Sequence, residues 1–408
     1  MKRRLITQMR HEWRSNLWLI LELAIVGVVL WTSFTLFIYL IHTRMQHYGY
    51  DMTDMYCTNV KYVPKASDAF QQYPDSTHSY VTDLAMIKDK IRSNPYVEMV
   101  GLGQNSMPYN FNFYGNNVSF TQDDSTYMYY GNQRFVSPEI IRMLRLEGFN
   151  GETTEQLANL IEKGEILVSN FDNQGQRPGP SEFVGRDIFL NCDSSKVYHV
   201  GGSAYGIQRS DYEGLFAGVI YTPLPDGWGS ELAIRVKPGM GRQFMESITT
   251  ADTEHGNVYL SNLRSVEQMR ISAHSDIANV VRGYSVCAGF LTLIVFLGFL
   301  GSFWFRIQQR TSEIAIRVAN GATRTDILRR LLGEGMVLLC VGTALSLAIE
   351  LVLIHYNIVN WGMDMTNHIP QLAVLASVLI LTLMVVAGIW LPARKAMRIN
   401  PATALKDQ

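Results

Sequence analysis

Four apolar windows decide what this chain can become. Trp18–Leu40, Gly283–Phe305, Leu331–Tyr356 and Gln371–Leu391 are each long enough to cross a hydrocarbon core, which takes roughly 20 apolar residues in a helix. The second and fourth windows contain no charged residue, the first holds only Glu22, and the third holds Glu334 and Glu350. Inside a bilayer every backbone polar group must be satisfied within the segment or by a closed barrel, so windows of this length predict transmembrane helices.

The first window competes with a cleaved signal peptide, whose apolar core runs about 7–15 residues and ends at a small-residue site. Trp18–Leu40 is longer and passes into YLIHTRMQHY, which offers no such site, so it is predicted to remain as an anchor. Orientation follows from the basic residues flanking the windows. Lys2, Arg3, Arg4, Arg10 and Arg14 precede the first window, and Arg306, Arg310, Arg317, Arg324, Arg329 and Arg330 separate the second from the third. Arg394, Lys395, Arg398 and Lys406 follow the fourth, whereas Asn357–Pro370 has no Lys or Arg. Both termini are therefore expected in the cytoplasm of a multi-pass inner-membrane protein, with the block from Ile41 to Arg282 outside.

That outer block reads as mixed α+β, large enough for two lobes. Helices are predicted at Asp83–Arg92 (capped by Thr82 and ended by Asn94-Pro95), Pro138–Leu146 and Arg242–Thr249. Strands are predicted at Tyr96–Leu102, Glu165–Ser169, Arg186–Asn191, Lys196–Gly201, Leu215–Tyr221 and Glu231–Val236. Asn262–Arg282 has helical character and is expected to run into the second span as a stalk. Cys57 and Cys192 both fall in this block, where an oxidising compartment would permit a disulfide without requiring one. The segment Met45–Ser79 follows no pattern that assigns it an element.

Between spans two and three lies RIQQRTSEIAIRVANGATRTDILRR, Arg306–Arg330. Ile307, Ile314 and Val318 recur at helical spacing, and Glu313 and Arg317 sit four apart on the same helix. Asn320-Gly321 reads as a helix stop, since glycine takes the left-handed conformation without steric cost. Thr323 followed three residues later by Asp326 reads as a capping box that opens the next helix. A short amphipathic helix of this kind, held between two spans, suits docking onto a cytoplasmic partner.

The string EIAIRVANGATRTDILR resembles the cytoplasmic signature of the FtsX/MacB-type ABC transporter permeases, and PARKAMRINPATAL at Pro392–Leu405 resembles that family's ending after its last span. In the outer block, NPYVEMVG, RFVSPEIIRMLRLEGFNG, VGRDIFLN, KVYHVGG and ELAIRVKPG follow the order of a MacB-like periplasmic core domain. The resemblance implies an α-helical membrane protein of four spans with a large α+β extracytoplasmic domain inserted between helices 1 and 2. Its expected divisions are a cytoplasmic N-terminus at 1–17, a first span at 18–40, the core domain at 41–261 and a stalk helix at 262–282. A second span at 283–305 then leads to a coupling segment at 306–330. A third span at 331–356, an external loop at 357–370, a fourth span at 371–391 and a cytoplasmic tail at 392–408 complete it.

The resemblance also implies that Glu313, Ile314, Ile316, Arg317, Gly321, Ala322 and Thr323 couple to a separate ABC ATPase, the apolar residues filling its groove and Glu313 and Arg317 meeting the rim. The permease would work by mechanotransmission. It would pair with an identical or paralogous permease, contact membrane lipid, and act with or without a periplasmic adaptor or outer-membrane partner. Efflux of macrolide- or peptide-like compounds, lipoprotein extraction and control of cell-wall hydrolases are the activities it suggests. The contrasting reading is a membrane-anchored sensor or scaffold whose outer domain binds a ligand without ATP.

Little in the chain speaks for catalysis. No GxxxxGK[ST], HExxH, CxxC or GxSxG string occurs, and the nine histidines show no metal-ligand spacing. The chain is therefore expected to be non-catalytic, with no cofactor of its own, ATP and Mg being held by the partner ATPase. His199 reads as a structural strand residue and Asp123-Asp124 as solvated charge. A formal net charge of −1 leaves no basic excess for nucleic acid. Glu22, Glu334 and Glu350 are expected to snorkel to the membrane surface from near the ends of their spans. Gly298 and Gly301, Gly342 with Ser346, and Ala344 with Ala348 favour close helix packing or dimerisation over a pore.

Overall fold

The computed structural model describes residues 13–396 apart from 46, 74–78, 111, 113, 121–128, 170–179, 192, 194, 212–217, 226–228, 310–313, 315, 317–320 and 357–367. Two compact units emerge, one from residues 1–42 and 279–408, the other from Thr43–Ala278.

The first unit is helical. α1 (Trp13–Arg44), α6 (Val266–Gln309), α7 (Arg324–His355) and α8 (Ile369–Ala396) are all long and apolar enough to cross a membrane. Each extends beyond its apolar window by up to a few turns, because capping and polar flanks carry helix past the hydrocarbon limits. α6 is the extreme case at 44 residues, beginning within the other unit. Leu19, Leu23, Val26 and Leu30 of α1 form one apolar cluster with Leu338 and Leu339 of α7 and Leu381, Val385 and Ile389 of α8.

Small residues make this packing close. A Cβ added at Gly342 would lie 2.8 Å from Leu23 Cβ, and one at Gly27 would lie 2.8 Å from Ser346 Cβ and Oγ. Gly335 similarly receives Ile389. The Gly342/Ser346 stripe is thus used for contacts within the chain, between α1 and α7. Gly301 faces open space, and only Glu22 Oε1, at 3.8 Å, approaches a Cβ at Gly298.

The second unit is built on one extended sheet in the order β10-β11-β1-β9-β2-β4-β3-β6-β7-β5-β8, with an added parallel pairing of β4 and β8. The strands are β1 (Met55–Tyr62), β2 (Val97–Gln104), β3 (Gly115–Ser119), β4 (Tyr129–Val136), β5 (Ile166–Val168), β6 (Asp187–Leu190), β7 (Tyr198–Ser203), β8 (Gly218–Pro223), β9 (Glu231–Val236), β10 (Glu254–His255) and β11 (Val258–Ser265). The β4–β8 pairing closes six strands on themselves, β4-β3-β6-β7-β5-β8, while β10, β11, β1, β9 and β2 form an open lobe. β4 joins both lobes: it pairs with β3 at its start, with β8 from Gly131 to Val136, and with β2 at Phe135 and Val136.

Each lobe has its own interior. Val118, Ile166, Val168, Phe183, Ile188, Leu190, Val200 and Ile220 fill the closed lobe. On the open lobe, α2 (Tyr80–Arg92) and α5 (Gly241–Ser247) supply Leu84, Ile87, Ile91 and Phe244 to a cluster with Val60, Val100, Leu232 and Ile234. α3 (Pro138–Leu144) and α4 (Thr154–Glu162) bury Ile140, Ile141, Leu157 and Ile161 in a second cluster. That cluster also takes Cys57, Tyr221 and the start of α6.

Several local expectations change. α2 begins a turn earlier than predicted, with Ser79 as N-cap and Thr82 as the third residue of a capping box. β11 occupies Asn262–Ser265, so the stalk helix starts only at Val266. Met45–Ser79, unassigned from sequence, supplies β1, which lies between β9 and β11. Cys57 on this strand is a free, buried thiol whose ionisation is opposed by burial, and no disulfide engages it. Cys192, with which a disulfide was possible but not required, lies outside the described residues, as do Asp123 and Asp124.

Candidate functional site

The segment joining α6 to α7 is described at Ile314, Ile316, Gly321, Ala322 and Thr323; Glu313 and Arg317 lie outside the described residues. Ile314 and Ile316 are both helical. Gly321 has φ +89, a backbone state that L side chains rarely adopt. Thr323 then caps α7: its Oγ1 accepts from Asp326 N at 3.2 Å, and its own N–H donates to Asp326 Oδ2 at 3.1 Å. Both reciprocal bonds of the box are made, which fixes where α7 starts.

The two isoleucines part company. Ile314 is 8% exposed and belongs to the apolar cluster of Ile307, Ile327 and Leu331, whereas Ile316 is 50% exposed. Ile314 was expected to fill a partner's groove; in this structure its side chain packs against the chain's own apolar residues. Side chains two apart on a helix point to different sides. Among the described residues of the segment, Ile316 is accordingly the apolar side chain presented outward, and Gly321 and Thr323 are exposed as well.

Of the intramembrane carboxylates, Glu350 departs from expectation. Glu350 is 4% exposed among the helices, so it does not snorkel. Glu334 Oε1 lies 3.7 Å from Arg330 Nε, one turn away on α7. Glu22 is half-buried, with Oε2 making no hydrogen bond. His199 sits on β7 with Nδ1 2.8 Å from Asp187 Oδ1 at an exposed site. Among the described residues no three His, Cys, Asp or Glu side chains gather as a metal site would require.

The α+β unit contains polar centres that no sequence motif announced. Arg134 on β4 is fully buried: NH1 donates to Asn105 O and Met107 O at 2.9 and 3.0 Å, and NH2 to Ile207 O at 3.0 Å. Burial holds its guanidinium below the usual arginine range. Glu231, 2% exposed, accepts from Ser106 N at 2.8 Å, Ser106 Oγ at 3.0 Å and Asn110 Nδ2. Each charge is met by its own hydrogen bonds, and Glu231 adds a Coulombic attraction at Arg134, as buried charges require.

A further centre surrounds Asp211, which is 1% exposed. Tyr109 Oη donates to its Oδ1 at 2.6 Å, and Arg270 of α6 donates from Nε to its Oδ2 at 2.8 Å. His274 Nε2, one turn further along α6, accepts from Asp211 N at 3.0 Å. Burial raises the Tyr109 phenol, and the carboxylate it serves as donor raises it further. Val266, Met269 and Ala273 of the same helix are buried in the core. The base of α6 is thus fastened to the α+β unit by apolar and ionic contacts together. Asp211 and Arg270 are far apart in sequence, so no local pattern could have paired them.

The FtsX-like permease C-terminal family matches residues 285–401, which takes in most of α6, the joining segment, α7 and α8. Over 291 residues the chain is 23% identical to the macrolide export ATP-binding/permease protein MacB of Escherichia coli, covering 67% of this chain and 43% of that protein. The MacB of Neisseria meningitidis serogroup A is 28% identical over 186 residues, 43% of this chain and 27% of the other. The chain spans less than half the length of these relatives. Among solved structures, the extracellular domain of the ABC-type transporter YknZ from Gram-positive bacteria covers 50% of this chain and all of its own, at 11% identity and a TM-score of 0.31. Residues 285–401 thus match the FtsX-like permease C-terminal family, and two thirds of the chain is similar to MacB.

Proposed function

We propose that this chain is the membrane subunit of an ABC transporter that works by mechanotransmission. ATP hydrolysis takes place on a separate ATPase chain. That ATPase docks on the segment between the second and third spans, and its motion is carried through α6 to the α+β unit. Both termini lie in the cytoplasm, and the α+β unit, inserted between the first and second spans, lies in the periplasm. Two permease subunits, identical or paralogous, pair in the membrane. The cargo is handled outside the bilayer; macrolide- or peptide-like compounds and lipoproteins fit that mode.

The observation that carries the reading is the joining segment within the FtsX-like region: an exposed Ile316, a positive-φ turn at Gly321 and a fully formed cap at Thr323. A loop needed only for positive charge would not require a backbone state reserved for glycine followed by a two-way cap. Continuity supports the second half of the proposal, since α6 runs unbroken from Val266 to Gln309 and its first turns are bonded to the α+β core. A helix with all its backbone bonds intact transmits rigid-body displacement.

Affinity purification of the tagged chain from its native membranes tests the proposal. A P-loop ATPase should copurify, and ATP hydrolysis should belong to the complex and not to the isolated chain. Hydrolysis by the isolated chain that is lost on mutating its own residues would refute it.

A further inference from the structure

The chain enters and leaves the unit Thr43–Ala278 by two stretches, the segment following α1 and the first turns of α6. Between them in space runs the strap Ala204–Asp211, between β7 and β8, and it is bonded to both. On one side, Tyr205 N donates to Glu147 O at 3.1 Å, and Glu147 N donates to Gly49 O at 2.8 Å. Gly49 has φ +68, and a Cβ there would lie 2.2 Å from the Tyr205 ring, so glycine is what lets the two chains touch. Gln208 N donates to Tyr50 Oη at 3.4 Å. On the other side, Asp211 takes Arg270 and His274 of α6 as described.

The strap is itself fixed from beneath. The buried Tyr221 hydroxyl accepts from Ile207 N at 2.9 Å and donates to Tyr205 O at 2.7 Å. Arg134 holds Ile207 O. Tyr109 N donates to Gln208 O at 3.1 Å while its hydroxyl reaches Asp211. The segment after α1 has its own anchor in Asp51, whose Oδ2 takes Arg235 at 2.6 Å and Arg145 at 3.0 Å, and whose N–H donates to Leu144 O.

We infer that the strap Ala204–Asp211 is a yoke, locking the segment that leaves the first span and the base of the second-span helix into one body. Its bonds form a continuous path, Tyr50 to Gln208 to Tyr109 to Asp211 to Arg270, with Tyr221 and Arg134 holding it taut. Under the permease reading the consequence is that the two stretches by which this unit continues into the spans move together and not independently. The yoke itself depends only on contacts within that unit, so its test needs no ATPase.

Hydrogen exchange on the full-length chain in nanodiscs is the test, with Tyr221→Phe and Asp211→Asn compared with the parent protein. Tyr221→Phe removes the hydroxyl beneath the strap, and Asp211→Asn removes the charge at one end. Losing a charge-assisted bond is expected to raise local exchange on the order of tenfold. For a yoke, either variant raises exchange at both Asp51–Thr53 and Met269–His274. A rise confined to 204–211, or to the end nearest the substitution, overturns the inference. Should one variant fail to fold, the other decides. Failure here would leave copurification with an ATPase untouched, so the two proposals fall separately.

Discussion

Replacing each of the two neighbouring isoleucines separates a packing residue from a docking residue. Ile314 is 8% exposed within a cluster, while Ile316 is 50% exposed. Ile314→Ala leaves a void among Ile307, Ile327 and Leu331, and large-to-small changes at packed sites cost about 2–5 kcal/mol. The lower half of that range applies, because Ile314 lies at the periphery of its cluster and can be partly refilled. Ile316→Asp buries nothing new in the isolated chain and should alter its stability by less than about 0.5 kcal/mol. In an interface, however, the same change sets a carboxylate against apolar surface. Truncating an interface anchor costs upward of about 2 kcal/mol, roughly thirtyfold in affinity. Thermal unfolding of the detergent-purified chain and ATPase pull-down from membranes read the two effects independently. Ile314→Ala should lower the melting temperature, whereas Ile316→Asp should leave it unchanged and abolish most of the association. Wild-type association by Ile316→Asp would refute this assignment, and with it the docking role of the segment.

Three further outcomes are expected. Gly321→Val meets no atom within 4 Å, so its effect is backbone strain alone at φ +89, roughly 1–3 kcal/mol, and should reduce coupled ATP hydrolysis more than Gly321→Asn does. Thr323→Ala removes the cap of α7 and should cost about 1 kcal/mol, read as a lower melting temperature that Thr323→Ser restores. The Asp51 carboxyl, though partly desolvated, is held below its ordinary value of 3.8 by hydrogen bonds from Thr53 and by Arg235. A depressed folded pKa stabilises fully above the unfolded value and loses that stability as pH falls through the folded one. Melts of the parent chain should therefore steepen downward below about pH 4, and Asp51→Asn should blunt that acid limb.

The membrane helices were legible because span length and charge exclusion are one-dimensional properties, and each apolar window lies within or almost wholly within a structural helix. The cap at Thr323 and the positive φ at Gly321 were legible for a similar reason, since turn chemistry is local. β1 and β4 were not. MYCTNVKY carries Asn59 and Lys61, and YYGNQRFV carries Gly131, Asn132, Gln133 and Arg134, so both read as loop. β4 nonetheless buries all three polar side chains, because Asn105, Asn116 and Thr222 satisfy Asn132 and Gln133, and the carbonyls of Asn105, Met107 and Ile207 satisfy Arg134. The same limit hid the Asp211–Arg270 latch. Helical periodicity placed Ile314 and Ile316 on a helix but could not say which of them the chain would keep for itself.

The central claim is that nucleotide on a separate ATPase moves the α+β unit, and a distance measurement across the assembled complex tests it most directly. Spin labels attached through Ser272→Cys, an exposed position near the base of α6, would report the separation between paired permease subunits in a background lacking the native cysteines. Trapping with a non-hydrolysable ATP analogue should shift that separation relative to the nucleotide-free complex, and Ile316→Asp should abolish the shift. An unchanged separation in a complex that binds and hydrolyses ATP normally would contradict mechanotransmission through this helix.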